Sequence, residues 1–138
     1  MREPLTRRYT ARMDSTGAPE QATWWVACLC AAWCGVCREW QPLFTQQARA
    51  HRHMLFAWVD VEDEDDAMGE VDIETFPTLL VARGSEVLYL APIPPSEKQF
   101  TRLLATLQAQ PVAAPGLPDD AGELLQRLQA QVLPRTLL

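Results

Sequence analysis

Three stretches of the chain are apolar at nearly every position, instead of alternating between apolar and polar residues. They run from Trp24 to Cys30, from Met54 to Val61 and from Thr78 to Ala82. Continuous apolar runs of this length are typical of strands buried on both faces of a sheet. A fourth run, Glu86 to Leu90, follows Gly84 and Ser85, which predict a tight turn and hence a strand paired with the third run.

Apolar residues at helical spacing predict one helix after the first strand and another after the last. The first helix is expected from Gly35 to about His51, with Pro42 as a bend, and its apolar face consists of Val36, Trp40, Leu43, Phe44 and Ala48. The second is expected to begin at Ser96, which forms a capping box with Gln99. Its apolar face consists of Phe100, Leu103, Leu104 and Leu107. This order of elements predicts an α/β fold with a central mixed sheet and helices on both faces.

Proline and glycine divide the chain after the last of these helices. Residues 1–110 are expected to form the main domain, although its polar beginning predicts at most a short edge strand near 8–13. Residues 111–118 are rich in proline and predict a linker. Residues 119–138 are expected to be a helical extension, with one helix over Asp119 to Leu133. Because a single amphipathic helix cannot bury its own apolar face, this helix must dock on the core or meet a partner.

Length and composition agree with one folded domain. The 138 residues are 48% hydrophobic and 22% charged, a composition that excludes a disordered chain. A chain of this length can bury a core that is stable without disulfides. The net charge of -6 argues against nucleic acid or an anionic membrane as a partner. No apolar run approaches the roughly 18 to 20 residues that span a bilayer, and the N-terminal stretch lacks the features of a secretory signal. A cytoplasmic location is therefore expected.

Half of the acidic residues are concentrated in one segment. Nine of the 18 lie within residues 60–74, with no basic residue among them. The pattern favours a solvated loop and short helix. The alternative is a docking surface for a basic partner, whose binding would weaken with salt.

The four cysteines lie within ten residues, at Cys28, Cys30, Cys34 and Cys37. In a reducing compartment such a cluster indicates catalysis or metal binding rather than structural disulfides. The Cys34 to Cys37 spacing suits thiol–disulfide exchange, which needs one exposed thiolate and a second thiol nearby. Cys34 is expected at a helix N-terminus, where the dipole stabilises a thiolate. A metal site is not expected, because the two cysteine pairs are too close together in sequence to converge tetrahedrally.

Three motifs resemble those of the thioredoxin family across residues of about 8–108. They are Trp33-Cys34-Gly35-Val36-Cys37, then Pro42, then Phe76-Pro77-Thr78-Leu79. The resemblance implies a thioredoxin fold, with Cys34 as the nucleophile and Cys37 as the resolving thiol. It also implies a cis Pro77 beside them, substrate lying along Phe76, and Trp33 in the docking surface, with Gly35 and Val36 inside the motif. The redox-active disulfide between Cys34 and Cys37 would serve without a separate cofactor.

The sequence departs from the family pattern at three positions. Cys28 stands where thioredoxins have a buried acidic residue, and Trp58 stands where they have the lysine that accompanies it, so resolution is expected to be slower. Val36 replaces a proline that tunes the redox potential in this family. Cys30 replaces a tryptophan. Since alternate strand residues share a face, Cys28 and Cys30 should both point toward the helix carrying Cys37. One interpretation is that both cysteines are small buried hydrophobic residues. The alternative hypothesis is that Cys28 is a third redox thiol, which exchanges with the Cys34–Cys37 disulfide.

The sequence therefore predicts a monomer that reduces or isomerises protein disulfides and is recycled by a separate disulfide reductase, without nucleic acid or membrane partners. The alternative is a thioredoxin-like protein-binding module in which redox activity is weak or secondary.

Overall fold

The computed structural model describes residues 22–138, which contain a four-stranded mixed sheet. The strands are β1 (Trp24–Cys30), β2 (Met54–Asp60), β3 (Thr78–Arg83) and β4 (Glu86–Pro92), and they lie in the order β2-β1-β3-β4. All four were predicted by the apolar runs, to within two residues at each end. The edge strand expected near 8–13 falls outside the described residues.

Strand β1 lies between a parallel and an antiparallel neighbour. It runs parallel to β2 and antiparallel to β3, and β3 is antiparallel to β4. Gly84, in the turn between β3 and β4, has a φ of 61°, a conformation that favours glycine. The five residues from Val26 to Cys30 are buried, which explains the continuous apolar run.

One face of the sheet is covered by two long helices, α1 (Gly35–Ala50) and α3 (Glu97–Ala109). Pro42 lies inside α1, and the Ser96 hydroxyl accepts a hydrogen bond from the Gln99 amide at 3.3 Å, as the capping box predicted. Phe44 and Phe100 interlock between the two helices, with ring centroids 5.8 Å apart. This face also buries the side chains of Cys28, Cys30 and Cys37.

The opposite face is covered by the C-terminal part of the chain together with the short helix α2 (Asp65–Met68). Leu124, Leu125 and Leu128 of helix α4 (Ala121–Gln131) are fully buried against the sheet. The extension therefore docks on the core of its own chain, which is one of the two outcomes that its amphipathic pattern allowed.

The C-terminal helix is shorter than predicted. The sequence predicted one helix to Leu133, whereas α4 ends at Gln131 and a separate short helix, α5 (Leu133–Thr136), follows. Pro134 lies in the first turn of α5, and the helix boundary falls just before it. Proline supplies no amide donor and clashes with the preceding turn, so it is accommodated at the start of a helix and not in its interior.

The C-terminal part of the chain also contacts both edges of the four-stranded sheet. Within 111–118, the Ala114 amide donates to the Leu88 carbonyl of β4 at 2.8 Å. At the other edge, the Leu138 amide donates to the Phe56 carbonyl of β2 at 2.9 Å, and Leu137 forms an antiparallel bridge with Ala57. These contacts satisfy some of the edge groups that would otherwise pair with another chain.

No helix within residues 22–138 combines the length and the apolar character needed to cross a bilayer.

Candidate active site

The Cys34 to Cys37 motif lies where β1 gives way to α1. Cys34 is the N-cap residue of α1, in an extended conformation with φ −83° and ψ 115°. Its amide donates to the Ala31 carbonyl at 3.0 Å, and its carbonyl accepts from the Arg38 amide at 3.2 Å. Gly35 is the first residue of the helix. The loop thus places the Cys34 side chain at a helix N-terminus, where unpaired amides favour a negative charge.

The two thiols of the motif have opposite electrostatic environments. The pKa of Cys34 is lowered from its ordinary value of 9.0, chiefly by a hydrogen bond from the backbone amide of Cys37. The Cys37 thiol, the Val36 amide and the positive charge of Arg38 lower it further. The pKa of Cys37 is raised, mainly by burial and then by its interaction with Cys30. Cys34 is therefore the thiol that ionises first.

Arg38 was not identified from the sequence as part of the site. One of its guanidinium nitrogens donates to the Ala32 carbonyl at 2.7 Å, which anchors the charge beside the loop that carries Cys34. A basic residue immediately after the second cysteine is the sequence signal for it. On a helix it lies four positions from Cys34, close enough to act on the thiolate.

Exposed apolar side chains, here called the rim, flank Cys34 in the chain. The Trp33 side chain is 62% exposed and Val36 is 43% exposed. Trp33 packs edge-to-face on Phe76, with ring centroids 5.7 Å apart, and its indole N–H donates to the Glu62 carboxylate at 2.9 Å. The Phe76-Pro77 peptide bond is cis, as the resemblance implied. The structure therefore brings together the segments around residues 33–37 and 76–77, which are distant in sequence.

The other two cysteines lie beneath this pair, and all four are free thiols. Cys28 and Cys30 are buried on the face of the sheet that packs against Cys37, as strand alternation predicted. Their sulfur atoms are 3.4 Å apart. Cys30 is the last residue of β1 and is buried in the same cluster as Cys37, whereas Cys28 lies two residues earlier in the strand, in register with Trp58 on β2. Period-two alternation predicted that both thiols share one face, but not the contact between their sulfur atoms.

The acidic segment borders the rim through a turn at the end of β2. The Asp60 carboxylate accepts the amides of Glu62 and Asp63 at 2.9 and 3.2 Å, which fixes the turn that presents Glu62 to Trp33. Glu64 forms an ion pair with Arg135 at 2.7 Å. Part of this acidic segment therefore has structural partners. Within residues 22–138, no group of three or more histidine, cysteine or acidic side chains is arranged to hold a metal ion.

Comparison with known proteins places this geometry in a family. The family profile described as Thioredoxin matches residues 17–104. Similar curated proteins include Thioredoxin-1 of Caenorhabditis elegans, 29% identical over 58 residues, which are 42% of this chain and 50% of that protein. The Thioredoxin H-type of Fagopyrum esculentum is 36% identical over 58 residues, covering 41% of this chain and 50% of that protein. The chain thus spans about half the length of these curated relatives.

Solved structures show the same architecture. The germline-specific thioredoxin Deadhead of Drosophila melanogaster superposes with a TM-score of 0.55 at 22% identity, over 62% of this chain and 81% of that chain. The thioredoxin of Fasciola hepatica superposes with a TM-score of 0.56 at 21% identity, over 61% of this chain and 80% of that chain. At these identities the superpositions establish the fold, which is the thioredoxin fold with an additional C-terminal helix. With the family profile matching most of its length, the chain belongs to the thioredoxin family.

Proposed function

We propose that the protein reduces protein disulfides by thiol–disulfide exchange, with Cys34 as the nucleophile and Cys37 as the resolving thiol. The observation that supports this most strongly is the contrast between the two thiols. One is partly exposed at a helix N-terminus with a lowered pKa, and the other is buried beside it with a raised pKa. Membership of a family of thiol–disulfide oxidoreductases supports the same reaction.

In the first step, the Cys34 thiolate attacks one sulfur of the substrate disulfide. A bond forms between Cys34 and that sulfur, the substrate disulfide breaks, and the second substrate sulfur leaves as a thiolate that takes up a proton. The reaction requires the thiolate form of Cys34, because the thiol is a far weaker nucleophile. The hydrogen bonds that lower the pKa of Cys34 raise the fraction of molecules ready to react at neutral pH.

In the second step, Cys37 attacks the sulfur of Cys34 in the mixed disulfide. The Cys34–Cys37 disulfide forms, the remaining substrate sulfur leaves, and the proton of Cys37 is transferred to solvent or to the leaving sulfur. The substrate has then gained two electrons and two protons. Because the pKa of Cys37 is raised, this thiol stays protonated while Cys34 is a thiolate, so the two roles remain distinct. A separate disulfide reductase would restore the dithiol, and no further cofactor is needed.

The exposed rim gives the substrate a surface on which to dock. Trp33 and Val36 expose apolar area on either side of Cys34 in the chain, and the partly buried Phe76 packs on Trp33. An extended segment of a protein substrate lying along Phe76 and Pro77 would bring its disulfide over Cys34. Apolar contacts on both sides of the nucleophile favour protein disulfides over small charged disulfides such as oxidised glutathione.

Reduction of insulin in the presence of dithiothreitol tests the proposal. We expect turnover by the wild-type chain, none by Cys34→Ser, and a long-lived mixed disulfide with an insulin chain in the matched variant Cys37→Ser. Equal turnover by Cys34→Ser and the wild type would exclude Cys34 as the nucleophile. Absence of turnover by the folded wild-type chain would favour the alternative of a binding module.

A further inference from the structure

The four cysteines lie in one cluster of the core. Cys28, Cys30 and Cys37 are buried together with Cys34 packed against them, and the sulfur of Cys30 lies 3.4 Å from that of Cys28. The reaction proposed above uses only the outer two thiols. Cys30 is therefore a buried thiol in the same cluster as Cys37, one of the two cysteines that the reaction joins in a disulfide.

We propose that Cys30 is a third redox thiol, which exchanges with the Cys34–Cys37 disulfide to give an internal Cys30–Cys37 disulfide and a free Cys34. The proposal rests on the proposed function, because that reaction forms the disulfide with which Cys30 exchanges. It gives the oxidised protein a second form, in which the nucleophile is reduced although the molecule still carries one disulfide.

The exchange is balanced within the chain. The sulfur of Cys30 attacks the sulfur of Cys37, a Cys30–Cys37 bond forms, the Cys34–Cys37 bond breaks, and the bonding electrons leave with Cys34. The proton of Cys30 passes to solvent or to the departing thiolate. One disulfide and one thiol are present before and after the step, so no external oxidant or reductant takes part.

The surroundings of the three sulfurs favour conversion of the Cys34–Cys37 disulfide into the Cys30–Cys37 disulfide. Exchange is faster when the leaving thiol has a low pKa, and the pKa of Cys34 is the one that the site lowers. Cys30 and Cys37 are each only 1% exposed, so a disulfide between them is shielded from external thiols. The pKa of Cys30 is raised by its hydrogen bond with Cys28 and by burial, so the exchange should be slow and should accelerate with pH.

The position of Cys30 at the end of β1 selects it instead of Cys28, which the sequence had suggested. Both residues are buried on the same face of β1. Cys30, however, is the last residue of the strand, directly before the loop that leads to Cys34, whereas Cys28 lies two residues farther from that loop and its sulfur contacts Cys30. Cys28 is thus a matched control, since it is the same residue type on the same strand, one step farther from the disulfide.

Differential labelling of the wild-type protein tests the exchange without any substitution. The reduced full chain is oxidised with one equivalent of diamide at several pH values, quenched with acid, and labelled with N-ethylmaleimide under denaturing conditions at low pH. All four cysteines lie between Arg12 and Arg38 with no lysine or arginine between them, so one tryptic peptide reports all of them. Fragment ions then show which two cysteines carry the label.

We expect two labelled populations. Label on Cys28 and Cys30 identifies the Cys34–Cys37 disulfide, and label on Cys28 and Cys34 identifies the internal disulfide, whose share should grow with incubation time. If the label is found only on Cys28 and Cys30 at every pH and time, the third-thiol proposal is overturned. The proposed function is unaffected by that result. Failure to form any Cys34–Cys37 disulfide would contradict the proposed function itself.

A set of variants tests which inner thiol takes part. On oxidation, the mass of the Cys34→Ser variant should fall by two hydrogens, because Cys30 and Cys37 form a disulfide. The same mass loss is expected in the Cys34→Ser, Cys28→Ser double variant. It should disappear when Cys30→Ser is added instead. Loss of two hydrogens in the Cys34→Ser, Cys30→Ser double variant would identify Cys28 as the reacting thiol and overturn the assignment to Cys30.

Discussion

Gly69 offers a sharp test of how the C-terminal helix is fastened to the core. It ends α2 with a φ of 61° and a ψ of −128°, a conformation in which side chains are strained. Arg127 of α4 reaches across to this point, and its guanidinium donates to the carbonyls of Ala67 and Met68 at 2.7 and 3.1 Å. A Cβ on Gly69 would lie 2.7 Å from a nitrogen of that guanidinium. Gly69→Ala should therefore strain the backbone and also displace Arg127.

The two costs can be estimated separately. Backbone strain at such a position is about 1–3 kcal/mol. Loss of two charge-assisted hydrogen bonds at a half-buried site adds about 1–2 kcal/mol, less than for a fully buried pair because water replaces part of each bond. Gly69→Ala should thus lower the free energy of unfolding by about 2–5 kcal/mol. In the Arg127→Ala background only the strain remains, so there the same substitution should cost about 1–3 kcal/mol.

Urea denaturation of the four proteins in this double-mutant cycle measures both terms. Gly122→Ala is a matched control, because Gly122 lies on the exposed side of α4 with no atom within 4 Å of its added Cβ. Alanine is the better helix former, so this control should be neutral or stabilising by up to about 1 kcal/mol. An equal cost of Gly69→Ala with and without the Arg127 side chain would refute the proposed clash between the two residues.

Three further outcomes follow from the site and from the packing of α4. Iodoacetamide should modify Cys34 at a pH below 9.0, because the lowered pKa of Cys34 populates its thiolate at a lower pH. Cys37 should stay unmodified in the folded protein, since its pKa is raised. Equal labelling of both at neutral pH would contradict this. Leu128→Ala should lower the free energy of unfolding by about 2–5 kcal/mol without changing the alkylation rate of Cys34, and a changed rate would show that the two faces are coupled. Glu62→Gln should raise KM for insulin about two- to fivefold with kcat unchanged. The amide is a weaker acceptor than the carboxylate, so the hydrogen bond that positions the Trp33 indole is weakened by about 0.5–1 kcal/mol. An altered kcat would instead place Glu62 in the chemical step.

The sheet and the outer thiol pair were predictable because each depends on local patterns. Continuous apolar runs mark buried strands, and helical spacing after Cys34 marks the helix whose N-terminus holds it. The docking site of α4 was not predictable, since an amphipathic pattern shows which side of a helix is apolar and not which surface covers it. The helix is shorter than its apolar pattern predicts, and at its C-terminal end the reason is Pro134, which is accommodated only in the first turn of the next helix.

Contacts between distant segments were also beyond the sequence. Trp33 and Glu62 are 29 positions apart, and Arg127 lies 60 positions from the Ala67 carbonyl that it meets. Nothing in their spacing indicates that they touch. The position of Cys30 against Cys37 depends on how α1 leaves the end of β1, and a one-residue change in that connection would present a different side chain. Local rules therefore predict the elements and the motif, whereas the supporting contacts depend on the tertiary fold.

The alternation of side chains along β1 separates the four thiols from the packing of the C-terminal helix. Ala27 and Leu29 face α4, while Val26, Cys28 and Cys30 face α1. A substitution in the α4 interface thus acts on one face of a central strand, and the thiols lie on the other. Because β1 is hydrogen bonded to a neighbour on each side, its backbone stays held in the sheet when a side chain on one face is removed. Substitutions in α4 should therefore change stability far more than they change the reactivity of Cys34.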